Sequence, residues 1–288
     1  MKKMSQSNMK TITVIGSGLI GRSWAMVFAS GGYSVKMYDN QPGQADKAVT
    51  ELRKQMTELE EGGMLRGQLS ATQQLALLST YDDLPLALQG AFFVQECVFE
   101  QLEVKQNIFQ DVERLVGKDV ILSSSTSCLV PSNVFSKVQD RSRCIVSHPV
   151  GQVPVRLKRE IDGFTVNRVQ AAIIAESWRL VQDGIISVQD IDLVMSEGLG
   201  MRYAFIGPME TMHLNAPEGL GDYMRRYGEG IQRVLRSFGP VPDLCSEDAR
   251  SIVDGMCELI PNDQQHLSAR RERRDQLLMG LAKLKKDQ

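Results

Sequence analysis

The chain has 288 residues, 42% of them hydrophobic and 24% charged, with a formal net charge of −2. That length can bury a sizeable core and leaves room for two domains, while the near-neutral balance gives no electrostatic reason to expect nucleic acid or an anionic membrane as a partner. No apolar run is long enough to span a bilayer, and the five cysteines, odd in number and without a CxxC pair, read as reduced thiols of a cytoplasmic protein.

The first ten residues, MKKMSQSNMK, carry lysines with no apolar stretch behind them, so they read as a frayed tail and not as a secretory signal. Thr11 to Ile15 is a strand that runs into Gly16-x-Gly18-x-x-Gly21. A helical run, Trp24 to Ser30, a glycine break at Gly31-Gly32 and a second strand, Tyr33 to Tyr38, follow, and the strand ends on Asp39. Strand, glycine turn, helix, strand and acid in this order predict a dinucleotide-binding βαβ unit. Gly16 permits the sharp turn, Gly18 lets a pyrophosphate approach the backbone, and Gly21 lets helix and strand pack closely. The phosphates would lie on the free N–H groups of the helix N-terminus. Asp39 is placed to accept from the adenosine ribose hydroxyls. Asn40-Gln41-Pro42 brings no cation to a 2′-phosphate, so NAD is expected in preference to NADP.

Residues 44 to 61 carry Val49, Leu52, Met56 and Leu59 at helical spacing, and Gly62-Gly63 stop the run. A short helix is predicted from Ser70 to Leu78, so about 44–79 reads as a helical insertion, either a solvated pair or a clamp over substrate. Strands are predicted at Ala91 to Val98, Asp119 to Ser123 and Arg143 to Val150, with helices at 102–116 and 131–138 between them. This alternation argues a mostly parallel, doubly wound sheet with ligands at the C-terminal strand ends. From Gly163 onward the pattern is helical: 164–181, 188–196 ending at Gly198-x-Gly200, 218–238, 246–259 and 264–285. The expected fold is therefore an α/β Rossmann-type domain over 1–162 and an all-α domain over 163–288, the latter supplying substrate and dimer surfaces.

Of three histidines, His148 ends a predicted buried strand on the ligand side of the sheet. It is either a packed strand-end residue or a general base for an alcohol proton. The preceding loop, Ser123 to Ser127, offers hydroxyls for a substrate. His213 has no acid or cysteine partner at metal-ligand spacing and reads as structural; no metal site is expected.

The runs VIGSGLIGRSWA, VQECVFEQLEVKQNIF, ILSSSTSCL, CIVSHPV, GFTVNR and GLGMRYAFIGPMETMHLN together resemble the 3-hydroxyacyl-CoA dehydrogenase superfamily over nearly the whole chain. The resemblance implies a cytoplasmic homodimer that oxidises a 3-hydroxy acid with NAD, most closely L-gulonate at C3 to 3-dehydro-L-gulonate. It puts Leu19 and Ile20 in the cofactor turn, Asp39 on the ribose, and Glu100 and Lys105 beside the cofactor. Ser127 becomes the substrate serine, His148 the base, and Asn167 the asparagine of GFxxNR.

One departure stands out. Family members follow the histidine strand with an asparagine and then a strand bearing a glutamate that orients the imidazole, and further elements lead to GFxxNR. Here only fourteen residues separate His148 from Gly163, so on the order of thirty family residues, enough for a strand and a helix, are missing in one block after Pro149-Val150. GQVPVRL resembles the strand just before GFxxNR. The only nearby acids, Glu160 and Asp162, fall by the resemblance at the hinge to the helical domain. The competing readings are a 3-hydroxyacyl-CoA dehydrogenase, for which 44–61 offers no clear basic cluster, and a non-catalytic NAD(H)-binding or structural protein.

Overall fold

In the computed structural model, residues 9–149 and 153–286 are described, Asp248 and Lys286 by backbone alone. Residues 1–8 of the N-terminal tail and the Val150 end of the expected histidine strand lie outside them. The chain divides into two compact units, Met1–Arg168 and Val169–Gln288.

The first unit runs β1 (Thr11–Ile15), α1 (Leu19–Ser30), β2 (Ser34–Tyr38), α2 (Gln44–Glu61), α3 (Ala71–Leu75), β3 (Leu78–Tyr81), α4 (Leu84–Leu88), β4 (Ala91–Glu96), α5 (Leu102–Leu115), β5 (Ile121–Ser124), α6 (Pro131–Val134) and β6 (Cys144–Val146). The six strands are all parallel, in the order β3-β2-β1-β4-β5-β6, the doubly wound arrangement whose switch point lies between β1 and β4. Strand periodicity separates the two cores. Val14 joins Ala25, Val35, Met37, Leu52 and Met56 on the face covered by α1 and α2. Its neighbour Ile15 joins Val94, Phe109, Leu122 and Phe135 on the face covered by α5 and α6. Leu52 is fully buried, and truncating such a side chain to Ala costs about 2–5 kcal/mol.

Three expectations in this unit are corrected. The helix expected to reach Leu78 stops at Leu75, and Leu78–Tyr81 instead forms β3, paired to β2. Ser70 closes a capping box with Gln73, which fixes the start of α3; Leu78, Thr80 and Tyr81 then favour a pleated edge. The strand expected from Arg143 to Val150 shrinks to Cys144–Val146, with Arg143 in a 3₁₀ turn. It pairs with β5 alone among the described residues, and Ile145 is 49% exposed. GQVPVRL forms no strand over its described residues, and Val153 and Val155 are 77% and 78% exposed. A strand needs a neighbouring edge, and at this side of the sheet the described residues offer only the three of β6.

The second unit contains α7 (Val166–Gln182, which begins in the first), α8 (Val188–Leu193), α9 (Gly200–Tyr203), α10 (Pro208–Leu214), α11 (Leu220–Arg236), α12 (Arg250–Leu259) and α13 (Gln264–Lys286). Gly198-x-Gly200 does not end a helix as expected. A π-helical segment, Val194–Leu199, carries the chain through it into α9. Gly200 makes this possible, because a Cβ there would lie 2.6 Å from the Met195 carbonyl oxygen. His213 is structural in position: its Nδ1 accepts from the Leu220 N–H at 3.1 Å, at the start of α11.

Candidate functional site

The glycine turn joins β1 to α1. Gly16 has φ of +93°, and its N–H donates to the Tyr38 carbonyl at 2.8 Å. A Cβ at Gly16 would meet the Cys97 carbonyl oxygen at 2.7 Å, and one at Gly21 the Gly16 oxygen at 1.8 Å. Gly18 differs: a Cβ there meets nothing within 4 Å. It is the N-cap of α1 and supplies no side-chain acceptor to the first-turn N–H groups. These donors face open space at the positive end of a twelve-residue helix, which fits a pyrophosphate. Leu19 and Ile20 are exposed beside them, at 68% and 42%.

Asp39, one residue past β2, closes the turn from the other side. Its Oδ2 accepts from both the Ser17 N–H (2.9 Å) and the Ser17 hydroxyl (2.7 Å), and its Oδ1 from the Gln41 N–H (3.1 Å). A carboxylate has about four acceptor sites, so three bonds leave capacity for a ribose hydroxyl. The residues present therefore fit a dinucleotide without a 2′-phosphate.

At the ends of β4 and β5 lies a buried ionic cluster. Lys105 is 1% exposed; its Nζ donates to Glu96 Oε1 at 2.8 Å and to the Val98 carbonyl at 3.2 Å, and pairs with Glu100 Oε2 at 3.2 Å. Glu100 Oε1 in turn accepts from the Thr126 hydroxyl (2.5 Å), the Ser127 N–H (2.7 Å) and the Cys128 N–H (3.3 Å). Burial pushes the Glu100 carboxyl up, but Thr126, Ser127 and Lys105 outweigh it and hold it below its ordinary value. Sequence reasoning missed Glu96. The available signal was a carboxylate ending the strand run AFFVQE, behind four apolar residues and Gln95.

The structure brings Ser127 and Asn167 together: Asn167 Nδ2 donates to the Ser127 carbonyl at 2.6 Å. Gly163 and Phe164, at φ of +70° and +49°, make the tight turn that starts α7 and aims Asn167 back toward the serine loop. Phe164 is the one non-glycine residue with positive φ among those described, a conformation that costs energy and persists only where packing enforces it. The serine loop is also tied to the glycine-turn helix, since Ser125 Oγ accepts from Trp24 Nε1 (2.9 Å) and Gln95 Nε2 (2.7 Å).

His148 lies just past β6, and Ser147 N–H donates to the Ser124 carbonyl at 2.9 Å, so β6 and β5 deliver their ends side by side. The imidazole is half-buried, and its Nδ1 is buried with no hydrogen-bond partner among the described residues. Neither nearby acid is seen on it. Glu160 accepts from the Ser132 N–H at 3.0 Å, at the start of α6, and Asp162 is exposed. No group of three or more metal-binding side chains occurs among the described residues, and no helix among them is long and apolar enough to cross a membrane.

The NAD-binding domain of 3-hydroxyacyl-CoA dehydrogenase matches residues 11–183, and the C-terminal domain of the same enzymes matches residues 163–247. The lambda-crystallin homolog of Rattus norvegicus is 49% identical over 306 aligned positions, covering 95% of this chain and 96% of that protein. Since 95% of 288 residues is about 274, about 32 of the 306 positions have no counterpart here. The L-carnitine dehydrogenase of Oceanobacillus iheyensis is 25% identical, covering 97% of this chain and 99% of its own. Among solved structures, the NAD+-dependent 5-formyl-3-hydroxy-2-methylpyridine 4-carboxylic acid 5-dehydrogenase shares the fold, with a TM-score of 0.73 and 23% identity over 96% of this chain and 98% of that one. The glycine turn, the parallel sheet with its helical unit and these matches lead to one conclusion: the chain belongs to the 3-hydroxyacyl-CoA dehydrogenase family and carries its NAD-binding domain.

Proposed function

We propose that the chain is by descent a dehydrogenase for a small hydroxy acid, most closely L-gulonate oxidised at C3, and that this form binds NAD(H) but turns over weakly. The observation that carries this reading is the pairing of a complete glycine turn and Ser127–Asn167 contact with a His148 whose Nδ1 is buried and has no hydrogen-bond partner among the described residues. The turn N–H groups, Leu19, Ile20 and Asp39 would hold the adenosine half of NAD, with Glu100 and Lys105 toward the other half. When bound, NAD supplies the acceptor for the hydride of the substrate's C–H bond.

The chain's own part is proton removal and orientation. Ser127, whose hydroxyl makes no hydrogen bond among the described residues, would donate to or accept from the substrate hydroxyl, and Asn167 holds the Ser127 backbone in place. His148 would take the hydroxyl proton on Nε2, which leaves positive charge on the ring. An acid on Nδ1 would fix the tautomer and stabilise that charge. In a serine protease, losing the equivalent acid lowers turnover by about four orders of magnitude. About 32 positions of the alignment with the Rattus norvegicus relative have no counterpart here, and we place most of that gap between Pro149 and Gly163.

A non-catalytic NAD(H)-binding role, of the kind the lambda-crystallin likeness suggests, is the second reading, and the same state of Nδ1 among the described residues favours it. A homodimer in the cytoplasm remains part of the proposal. It is supported by apolar side chains exposed on the helical unit, among them Met201 (61%), Met209 (65%) and Leu214 (64%). Fluorescence titration with NADH, followed by assay of L-gulonate oxidation, tests the reading. NADH binding with slow turnover supports it, and absence of NADH binding overturns it. Competition by acetoacetyl-CoA would point instead to an acyl-CoA substrate.

A further inference from the structure

Glu96, the last residue of β4, is fully buried and yet carries a charge, and nothing so far gives it a task. Each of its oxygens is engaged. Oε1 accepts from Lys105 Nζ at 2.8 Å and from the Val98 N–H at 2.7 Å, and Oε2 accepts from the Ser124 hydroxyl at 2.5 Å. Ser124 Oγ then accepts from the Thr126 N–H at 3.2 Å. Glu96 thus links the turn after β4, the first part of α5 and the serine loop after β5. At 0% exposure it can touch neither substrate nor cofactor.

Its influence runs through Lys105. The ammonium is shared between Glu96 and Glu100, closer to Glu96 (2.8 against 3.2 Å). Glu100 is 37% exposed, and its Oε1 holds the backbone of Ser127 and Cys128. If the Glu96 charge were removed, the whole Lys105 charge would act on Glu100. That pull would draw the Glu100 carboxylate toward α5 and away from the Thr126, Ser127 and Cys128 donors. A buried ion set of this kind is most sensitive to loss of one member, because the charges left behind have no solvent to turn to.

We propose that Glu96 is a positioning residue: by holding Lys105 and Ser124, it sets where Glu100 and the Ser127 loop present themselves to the nicotinamide half of the dinucleotide. The inference rests on the dehydrogenase reading above. Its test compares two ligands on full-length wild type, Glu96→Gln and Ser124→Ala: NADH, and ADP, which carries the adenosine and pyrophosphate alone. Loss of a hydrogen bond to a charged group predicts an NADH dissociation constant about tenfold higher in Glu96→Gln and about threefold higher in Ser124→Ala, with ADP affinity within about twofold of wild type in both.

A merely structural role would lower the melting temperature and leave the NADH-to-ADP affinity ratio unchanged, and that result would overturn the inference. Equal weakening of both ligands would overturn it too. Should Glu96→Gln fail to fold, Ser124→Ala decides, because it removes a hydroxyl and no charge. Wild type that binds ADP but not NADH would overturn the dehydrogenase reading and this inference together. Wild type and variants that bind NADH alike would overturn the inference alone.

Discussion

Ser17 donates twice to Asp39, its N–H at 2.9 Å and its hydroxyl at 2.7 Å, both to Oδ2. This ties the middle of the glycine turn to the residue after β2, so the two halves of the expected adenosine site move as one piece. Replacing Asp39 by Ala should therefore do more than remove a ribose acceptor; it should also loosen the turn. The expected outcome is an NADH dissociation constant raised about tenfold or more, with the preference for NADH over NADPH reduced because the repelling carboxylate is gone. Titrations with both cofactors check it. An unchanged preference would show that Asp39 does not face the ribose.

The three glycines of the turn should separate by experiment. Gly16→Ala and Gly21→Ala each place a methyl group against backbone oxygen, at 2.7 and 1.8 Å, and Gly16 also needs positive φ. Both should destabilise the fold by about 1–3 kcal/mol or more. Gly18→Ala meets no atom within 4 Å, so its melting temperature should stay within a few degrees of wild type while NADH affinity falls. Thermal melts and NADH titrations on the same preparations would show whether the open space at Gly18 is where ligand goes.

Glu100 supplies a pH signature. Its folded-state carboxyl is held below the ordinary value, so its contribution to stability is present above the unfolded value and lost as pH falls through the folded one. The stability difference between wild type and Glu100→Gln should be constant above about pH 5 and shrink below about pH 4. Denaturant melts across that range measure it. A difference that grows on acidification would contradict the ionic grip on the serine loop.

The cysteines should divide by reactivity. Burial pushes the Cys97 thiol up to about 12, with the Ser125 contact opposing it and Glu96 adding to it. Cys128 and Cys245 are exposed. Alkylation of the folded protein at about pH 8 should label Cys128 and Cys245 and spare Cys97 until unfolding. Peptide mass spectrometry distinguishes the sites.

The βαβ unit was legible because its signals are local. Three glycines at fixed spacing, a strand of β-branched residues and an acid after the second strand each report on their own neighbourhood. The same holds for the long helices, whose apolar spacing survives without knowledge of partners. What was hidden depends on contacts distant in sequence. β3 is four half-buried residues that become a strand only because β2 offers an edge. β6 is three residues paired, among the described residues, with β5 alone, and Glu96 acquires its meaning only when Lys105 and Ser124 close around it. The Ser127–Asn167 contact spans forty residues; family resemblance named both residues, and nothing in their local sequence announced that they meet. The short spacing between His148 and Gly163 stood out only against the family's pattern, and that His148 Nδ1 is buried with no hydrogen-bond partner among the described residues needed coordinates.

The most direct test is the rate of NAD reduction with L-gulonate, measured on this chain and on a version that carries, between Pro149 and Gly163, the segment proposed to be missing there, taken from the Rattus norvegicus relative. Both proteins are expected to bind NADH, and the added segment is expected to raise turnover by about two orders of magnitude or more, by giving His148 an orienting acid. Equal turnover in the two proteins would contradict it, and would mean that His148 works unaided or is not the base.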